Sequence, residues 1–258
     1  MRWLWRCVVL IAGIGGWQLW ASATKSSFFP PPSAMVARMY RLWFSGPAAH
    51  LFLTPDATGN ILPSLGRVLA GLAIATAIAF PLGIALGRSP VVTSYLSPLL
   101  QFARALPVVT LAPVFIVLFK IGTDMEIATI AFGTVWPILL NTIDGAATVD
   151  PQHLETGRAF RLTAWQRLAW VIIPAALPKA FAGFRLSLSL ALILMVFAEL
   201  VGSSNGIGYE MSNASNSFDM TFLWSTIVLL GILGYLLNAL LGGAERLVLS
   251  WHSGEGQD

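Results

Sequence analysis

Residues 150–174 read DPQHLETGRAFRLTAWQRLAWVIIP, a polar stretch inside a chain that is otherwise mostly apolar. Of the 258 residues, 56% are hydrophobic and only 10% are charged, whereas a soluble domain carries about a quarter charged residues. A chain of this composition cannot cover a water-facing surface. We therefore predict a helical membrane protein, in which this polar stretch meets a partner in the water.

Apolar runs flank the polar stretch, and several reach the roughly 20 residues with which a helix crosses a bilayer. The third run is the least regular, because Arg104, Pro107 and Pro113 interrupt it. The sequence predicts an all-α integral membrane protein with about six spans, at residues 4–23, 62–86, 99–119, 127–143, 184–201 and 222–241.

The distribution of basic residues predicts the orientation of these spans. With the N-terminus in the cytoplasm, ten of the 15 lysines and arginines lie at or near the cytoplasmic face. The five that lie at or near the outer face are Lys25, Arg38, Arg41, Arg67 and Lys120. Six spans then place both termini in the cytoplasm.

Composition also argues against disulfide bonds, a metal cluster and nucleic-acid binding. The single cysteine, Cys7, excludes internal disulfides, and His50, His153 and His252 are too scattered to suggest a metal cluster. The net charge of +3 fits the basic bias of cytoplasmic loops rather than nucleic-acid binding. The basic N-terminal flank also suits a signal peptide, but Ala21-Ser22-Ala23 is a weak cleavage pattern, which favours an uncleaved first span.

The loop at residues 25–61 contains a second amphipathic segment. After Pro30-Pro31-Pro32, the residues Met35, Val36, Met39, Tyr40 and Trp43 recur at helical spacing. This pattern predicts a short helix on the membrane surface, and an ordinary interfacial loop remains the alternative.

Capping signals divide the polar stretch into two helices. Asp150 followed by Pro151 is typical of a helix start. Thr163 with Gln166 three residues later fits a capping box. Pro174 and Pro178 should stop or bend the second helix. The prediction is two short helices joined near Arg161-Leu162 that dock onto a partner, and a solvated loop is the alternative.

The same stretch resembles the cytoplasmic EAA loop of permease subunits in binding-protein-dependent ABC importers. That motif reads Glu-Ala-Ala, three residues, Gly, nine residues, then Ile-x-Leu-Pro. Aligned on Glu155, it places the closing element on residues 171–174 without a gap. Thr156 and Gly157 replace the two alanines, and Arg161 replaces the glycine. If residue 161 adopts a left-handed conformation, arginine costs roughly 1–2 kcal/mol relative to glycine.

The resemblance covers most of the chain and is strongest to the subfamily that imports nitrate, taurine, alkanesulfonates and related small solutes. Similar permeases carry similar residues at 64–68, 105–107, 137–142, 198–202 and 206–209. The resemblance implies a type I ABC importer permease architecture, with one permease domain over residues 1–258. It also implies an EAA-type segment, residues 145–180, that couples the spans to an ATPase. The implied coupling residues are Glu155, Thr156, Gly157, Arg158, Arg161, Leu162, Trp165, Val171, Ile173 and Pro174.

The same resemblance implies the partners. The chain has no Walker A sequence, so ATP hydrolysis, with ATP and Mg, is expected in a separate ATPase, and this chain is expected to bind no cofactor and to be no enzyme. Expected partners are a second permease copy in a homodimer, two cytoplasmic ATPase subunits, an extracytoplasmic solute-binding protein and membrane lipid, but no nucleic acid. The expected location is the bacterial inner membrane.

A few polar residues within the spans are candidates for the translocation path. Glu199 is the most notable, since inserting an isolated charge into the membrane costs about 2.5–3.5 kcal/mol of free energy. Glu199 has two possible roles, as a gate residue or as a hydrogen-bond acceptor between helices. Serines in spans usually bond their own helix or a neighbour. Gly83 and Gly87 form a GxxxG pattern that allows close helix approach. The candidate path residues are Asn141, Ser187, Ser189, Met195 and Glu199.

Two other classes of function compete with the importer. A secondary transporter or channel that works without an ATPase should show ion-coupling charges or a repeated pair of broken helices, and the sequence has one strong candidate charge and no clear repeat. An intramembrane enzyme should place a nucleophile and base, or a metal constellation, within the spans, and no span contains a histidine or paired carboxylates. The sequence does not name the solute.

Overall fold

The computed structural model describes residues 2–250, without the side chains of residues 2–4, 6 and 7. The side chain of Cys7 and the whole of His252 therefore lie outside the described part. Within that part every regular element is helical. The α-helices are α1 Arg2–Thr24, α2 Pro32–Trp43, α3 Pro55–Gly87, α4 Pro90–Ala105, α5 Ala112–Phe119, α6 Thr123–Ala147, α7 Pro151–Ala159, α8 Ala164–Arg167, α9 Ile173–Gly202, α10 Ile207–Asn216 and α11 Met220–Val248.

The chain divides into two compact units. The first contains the residues up to Leu65 together with Ser203–Leu233, and the second contains Gly66–Gly202 together with the residues from Gly234 onward. The long helices α3 and α11 each contribute residues to both units. The prediction of a single permease domain over residues 1–258 stays a prediction.

Four helical runs in the described part are long and apolar enough to cross a membrane. They contain α3, α6, α11, and a run from Ala164 to Gly202 that includes α8 and α9. A fifth candidate is the pair Pro90–Ala105 and Val108–Phe119, which is bent by 80°. Val8–Thr24 is a shorter apolar helix. The all-α membrane fold is confirmed, whereas the count of six spans stays a prediction.

The bent pair corrects the limits of the predicted third span. We expected one interrupted span over residues 99–119, but α4 already begins at Pro90 and ends at Ala105. Leu106 is extended, as the residue before a proline usually is, and Pro107 then opens a 3₁₀ turn at Val108–Leu111. The predicted interruption at Pro107 is therefore confirmed as a sharp bend, because proline cannot continue the hydrogen bonding of α4.

In the second unit, glycines let three helices approach closely. A methyl group on Gly83 would lie 2.6 Å from Cβ of Thr142, and one on Gly87 would lie 2.5 Å from the carbonyl oxygen of Ile143. The close helix approach that the GxxxG pattern of α3 allows is thus present, and the partner helix is α6. A methyl group on Gly183 of α9 would lie 2.5 Å from the carbonyl oxygen of Pro137, so α9 packs as closely against α6.

In the first unit, the predicted amphipathic helix is present as α2. Met35 and Trp43 are buried, whereas Tyr40 is 60% exposed. The hydroxyl of Ser225 donates to the carbonyl oxygen of Met35 at 3.0 Å. The helix itself is confirmed, and its position on a membrane surface stays a prediction.

Candidate functional site

The EAA-type segment leaves α6 through a short connection and starts α7 with a side-chain cap. The backbone N–H of Gln152 donates to Oδ1 of Asp150 at 2.8 Å, and Pro151 occupies the first turn. This cap satisfies an N–H group that has no partner within the helix. The start that the sequence predicted at Asp150-Pro151 is confirmed.

The turn after α7 explains what the glycine of the motif does. Leu162 N–H donates to the carbonyl oxygen of Gly157 at 3.0 Å, and Arg161 N–H donates to that of Arg158 at 2.9 Å. These two bonds define a Schellman cap, whose central residue adopts the left-handed conformation that favours glycine. Arg161 occupies that position with φ of +54°. The strain expected from this substitution, roughly 1–2 kcal/mol, is therefore present.

Gly157 lies at the second alanine position of the motif and is buried. A methyl group added to it would lie 3.4 Å from Cγ of Arg167 and 3.6 Å from Cδ1 of Leu162. Both distances are ordinary van der Waals contacts. The alanine of the motif would therefore fit here without any shift of its neighbours.

The second helix of the segment begins as predicted but does not end as predicted. Thr163 and Gln166 form the complete capping box, with bonds of 2.8 and 3.2 Å. We predicted that Pro174 and Pro178 stop or bend the second helix. The helix does not stop there, since the helical run continues from Ala164 to Gly202, and a bend at these prolines stays a prediction.

A π-helical turn at Leu168–Ile172 accommodates Pro174. Ile173 N–H donates to the carbonyl oxygen of Leu168, five residues back. A proline in a helix lacks an N–H, and its ring clashes with the carbonyl group four residues earlier. Widening the turn just before Pro174 relieves that clash, so the helical run continues through the proline. The closing element of the motif, residues 171–174, begins on this turn and continues into α9.

The segment and the spans share one hydrophobic core. Val149 and Ile172 of the segment pack with Ile84 of α3, Ala146 of α6 and Ala176 of α9, and all five are buried. Leu154 of α7 and Leu168 of the π turn pack against the same cluster. The segment is therefore continuous with the span packing, unlike a mobile, solvated loop.

The exposed side chains of the segment include charged and aromatic residues. Glu155, Arg158 and Arg161 are exposed. Trp165 is 73% exposed, and Phe160 and Trp170 are each 77% exposed. Sequence reasoning named Trp165 but missed Phe160 and Trp170, although large aromatic residues in a polar segment were the available signal.

A cleft of about 830 Å³ lies between the two arms of the hairpin that residues 151–174 form. Its walls come from α7, through His153 and Phe160, and from the following run, through Trp170 and Pro174. Thr156 and Leu162 also line it, and Val171 and Ile173 are half-buried nearby. The ten predicted coupling residues thus fall on one continuous hairpin, while their role in coupling stays a prediction.

The predicted path residues do not share one environment. Ser187 is buried on α9 and donates to the carbonyl oxygen of Thr134 at 2.7 Å. Asn141 donates to the carbonyl oxygen of Pro137 at 2.8 Å within α6. Met195 is buried, whereas Ser189 is exposed on a different side of α9 from Ser187. The side chains of Ser187 and Asn141 thus donate to backbone carbonyl groups of helices. Contact of any of these residues with a solute stays a prediction.

Glu199 lies in a buried cluster of three charges. Its Oε1 is 2.7 Å from Nη1 of Arg67, and Arg67 also pairs with Glu126. The Arg67 side chain is 5% exposed, and both carboxylate side chains are 0% exposed. The cluster joins α3, α6 and α9, which fits the hydrogen-bond acceptor interpretation of Glu199, while the gate interpretation stays untested. Glu126 was missed, although a predicted intramembrane charge implies a partner.

Comparison with known proteins gives one family for this chain. Residues 57–250 match the family described as binding-protein-dependent transport system inner membrane component. A probable ABC transporter permease protein of Brucella melitensis is 31% identical over 93% of both chains. The taurine transport system permease protein of Escherichia coli is 27% identical, over 87% of this chain and 80% of that one. The nitrate import permease protein of a Synechocystis strain is 29% identical, over 90% of this chain and 84% of that one.

The fold also matches a solved structure. A chain of the MetNI methionine ABC transporter in an inward-facing conformation aligns with a TM-score of 0.65 and 20% identity. The alignment covers 73% of this chain and 94% of that chain. This likeness confirms the type I architecture of the fold.

Proposed function

Because this chain belongs to the family of binding-protein-dependent transport system inner membrane components, we propose that its EAA-type segment docks onto a separate cytoplasmic ATPase. The chain is a permease subunit of an ATP-driven ABC importer, and it forms the path for a small solute that a binding protein delivers. We also propose how the subunits assemble and which class of solute the importer carries.

One observation carries the docking proposal. The hairpin at residues 151–174 exposes charged and aromatic side chains, while its buried and half-buried apolar residues pack into the core of the spans. A force applied to the exposed side chains would therefore reach α3, α6 and α9 through packed side chains. Exposed aromatic residues and arginines are the side chains most often dominant in protein interfaces.

The assembly is the permease homodimer with two ATPase subunits. ATP and Mg²⁺ bind to the ATPase subunits, and this chain supplies the path and the docking hairpin. The chain lies in the bacterial inner membrane with both termini and the EAA-type segment in the cytoplasm, and the loops on the outer side receive the binding protein. The excess of basic residues on the hairpin side supports this orientation.

The solute is a small compound with an oxyanion group. The relatives are named for nitrate, taurine and bicarbonate transport, and each of these solutes carries a group with anionic oxygens. Uptake of labelled nitrate, taurine and bicarbonate by cells with and without the permease would test this class. If cells with the permease take up none of the three solutes, the proposed class of solute is not supported.

A charge reversal on the hairpin tests the docking surface. Glu155→Arg reverses a charge on the exposed surface of α7 without removing any contact with the core. We expect the permease to remain folded and to lose its ATPase subunits during purification from membranes. The matched control is Asp124→Arg, because Asp124 is an exposed carboxylate at the opposite end of α6.

The readout is the amount of ATPase that co-purifies with tagged permease, with gel filtration as the check on folding. Retention of the ATPase by Glu155→Arg and by a variant lacking residues 155–174 would show that docking occurs elsewhere. Equal loss in the Asp124→Arg control would show that the effect is not specific to the hairpin.

A further inference from the structure

The C-terminal end of α6 is held by basic side chains from two other helical segments. Lys179 of α9 places Nζ 2.6 Å from Oδ2 of Asp144 and 2.9 Å from Oγ1 of Thr148. Arg88, which comes directly after α3, donates from Nη1 to the carbonyl oxygen of Ala146 at 3.0 Å. We refer to Lys179 and Arg88 as the basic clamp.

These cations are favourable at the last turn of α6. It contains no basic residue of its own, and it carries the carboxylate of Asp144. A helix C-terminus has unsatisfied carbonyl groups and a partial negative charge, so an acid there is unfavourable and a cation is favourable. The clamp supplies two positive charges at this end from outside α6.

Close packing brings the clamp within reach. A methyl group on Gly145 would lie 2.8 Å from the carbonyl oxygen of Ala176 and 3.2 Å from Cβ of Lys179. Gly87, next to Arg88, approaches α6 as closely. Larger side chains at these two glycine positions would push α9 and α3 away from the end of α6.

The clamp lies at the point where the hairpin leaves the spans. The C-cap of α6 is Thr148, and α7 begins at Pro151, so only Val149 and Asp150 separate them. Val149 is buried in the shared core, and Asp150 caps α7. The direction in which α6 ends therefore fixes where α7 begins.

We propose that Lys179 and Arg88 are positioning residues that, together with the shared core, hold α7 at a fixed angle to α6. They would help to make movement of the docked hairpin a movement of the spans, and without them the connection at residues 148–150 would bend more freely. This inference rests on the proposed docking role. It concerns how movement passes from the hairpin to the spans, whereas the proposed function concerns where the ATPase docks. An experiment can therefore contradict one without the other.

The test measures a distance across the joint between α6 and α7 with spin labels. In a Cys7→Ser background, labels at Asp124→Cys and Gln152→Cys report the distance between the start of α6 and the exposed surface of α7. The sample is the purified complex of permease and ATPase, with labelled permease diluted in unlabelled permease so that most dimers carry one labelled copy. We expect a single narrow distance distribution with native Lys179 and Arg88, and loss of that narrow distribution in Lys179→Met combined with Arg88→Met. The conservative variant Lys179→Arg with native Arg88 should keep the narrow distribution, because both cations are retained.

The matched control is Arg185→Met, which breaks the pair between Arg185 and Glu245. That pair also involves an exposed basic residue of α9, but it does not contact the end of α6. ATP hydrolysis and ATPase co-purification should survive in every variant. A narrow distribution in the double variant, or equal broadening in the Arg185→Met control, would overturn the inference. Loss of the ATPase from the parent complex would instead count against the docking proposal.

Discussion

The guanidinium of Arg67 lies 2.7 Å from the carboxylate of Glu199, and both side chains are buried in the second unit. Arg67 lies in α3 next to the first residue of this unit, and Glu199 lies near the end of α9, so residues 132 apart in sequence share one contact. Glu126 at the start of α6 joins the same arginine. One cation thus faces two carboxylates where three helices meet.

Removing the central cation should strongly destabilise the protein. Arg67→Met leaves two buried carboxylates facing each other, and breaking a buried ion pair from one side typically costs about 3–5 kcal/mol. We expect a large drop in the thermal unfolding temperature of the purified protein, and low yield from membranes. Arg67→Lys should recover only part of the loss, because lysine lacks the planar fork that serves two carboxylates.

Arg38→Met is the matched control for this prediction. Arg38 pairs with Asp219 at 2.9 Å, but the two side chains are 39% and 35% exposed. A solvent-exposed pair contributes only about 0–1 kcal/mol, so this variant should unfold near the native temperature. Similar losses in the two variants would contradict the importance of burial at Arg67.

Replacing Arg161 by glycine should stabilise the hairpin. Residue 161 has φ of +54°, where a Cβ atom costs roughly 1–2 kcal/mol and glycine avoids that cost. Part of the gain is offset because glycine has more freedom in the unfolded chain. The expected net gain is below about 1 kcal/mol, measured as slower proteolysis of the exposed turn. Arg161→Ala removes the same charge but keeps the Cβ atom, so it should show no gain.

Gly157→Ala restores the second alanine of the motif and should also stabilise α7. Alanine is favoured over glycine in a helix by about 0.8–1 kcal/mol, and the new methyl group meets only ordinary contacts of 3.4 Å or more. It also supplies an apolar contact with Leu162 across the Schellman cap. The measurement is the thermal unfolding temperature of the purified permease.

Gly183→Ala is the opposing comparison for the glycine prediction. Its methyl group would lie 2.5 Å from the carbonyl oxygen of Pro137, a distance that forces α9 away from α6. This variant should destabilise, although its gain in helix propensity is the same. Equal effects of the two substitutions would show that packing against α6 does not decide the outcome.

Glu210→Gln should stabilise the first unit in a pH-dependent manner. Burial and the neighbouring Asp56 raise the pKa of Glu210 above its ordinary value of 4.5, although a hydrogen bond from Asn60 opposes the shift. The folded state then keeps this proton where the unfolded state releases it, so stability falls as pH rises from 4.5 through the raised pKa. The neutral amide avoids that loss and can still accept from Asn60.

The measurement for this variant is the unfolding temperature across the pH range. Glu210→Gln should unfold at a higher temperature than the native protein at neutral pH, and the difference should vanish below the ordinary pKa of glutamate. A constant difference at every pH would show that the gain has another cause.

The hairpin was the most predictable part of the molecule. Its helix start at Asp150, its capping box at Thr163 and its turn near Arg161 each depend on residues within a few positions of one another. Such contacts are local, so the residue pattern of the sequence predicts them. The continuation of the helix past Pro174 was not predicted, because a π turn that makes room for a proline leaves no distinct residue pattern.

The site within the spans was harder to predict for the opposite reason. Glu199 was recognised as an unusual charge, and Arg67 was placed near a membrane face, but neither spacing nor residue type linked them to Glu126. Likewise, nothing in the sequence paired Lys179 with Asp144. These partners are far apart in the chain, so only the packing of the helices brings them together.

The sequence by itself determined the membrane class, the positions of most apolar helices and the local structure of the hairpin, because composition, periodicity and capping act over short distances. Tertiary structure alone decided which charge meets Arg67, how closely the glycines of α3 and α9 approach α6, and which cations hold the end of α6. Those features depend on the relative placement of helices, which is set by the shapes of packed side chains from distant parts of the chain.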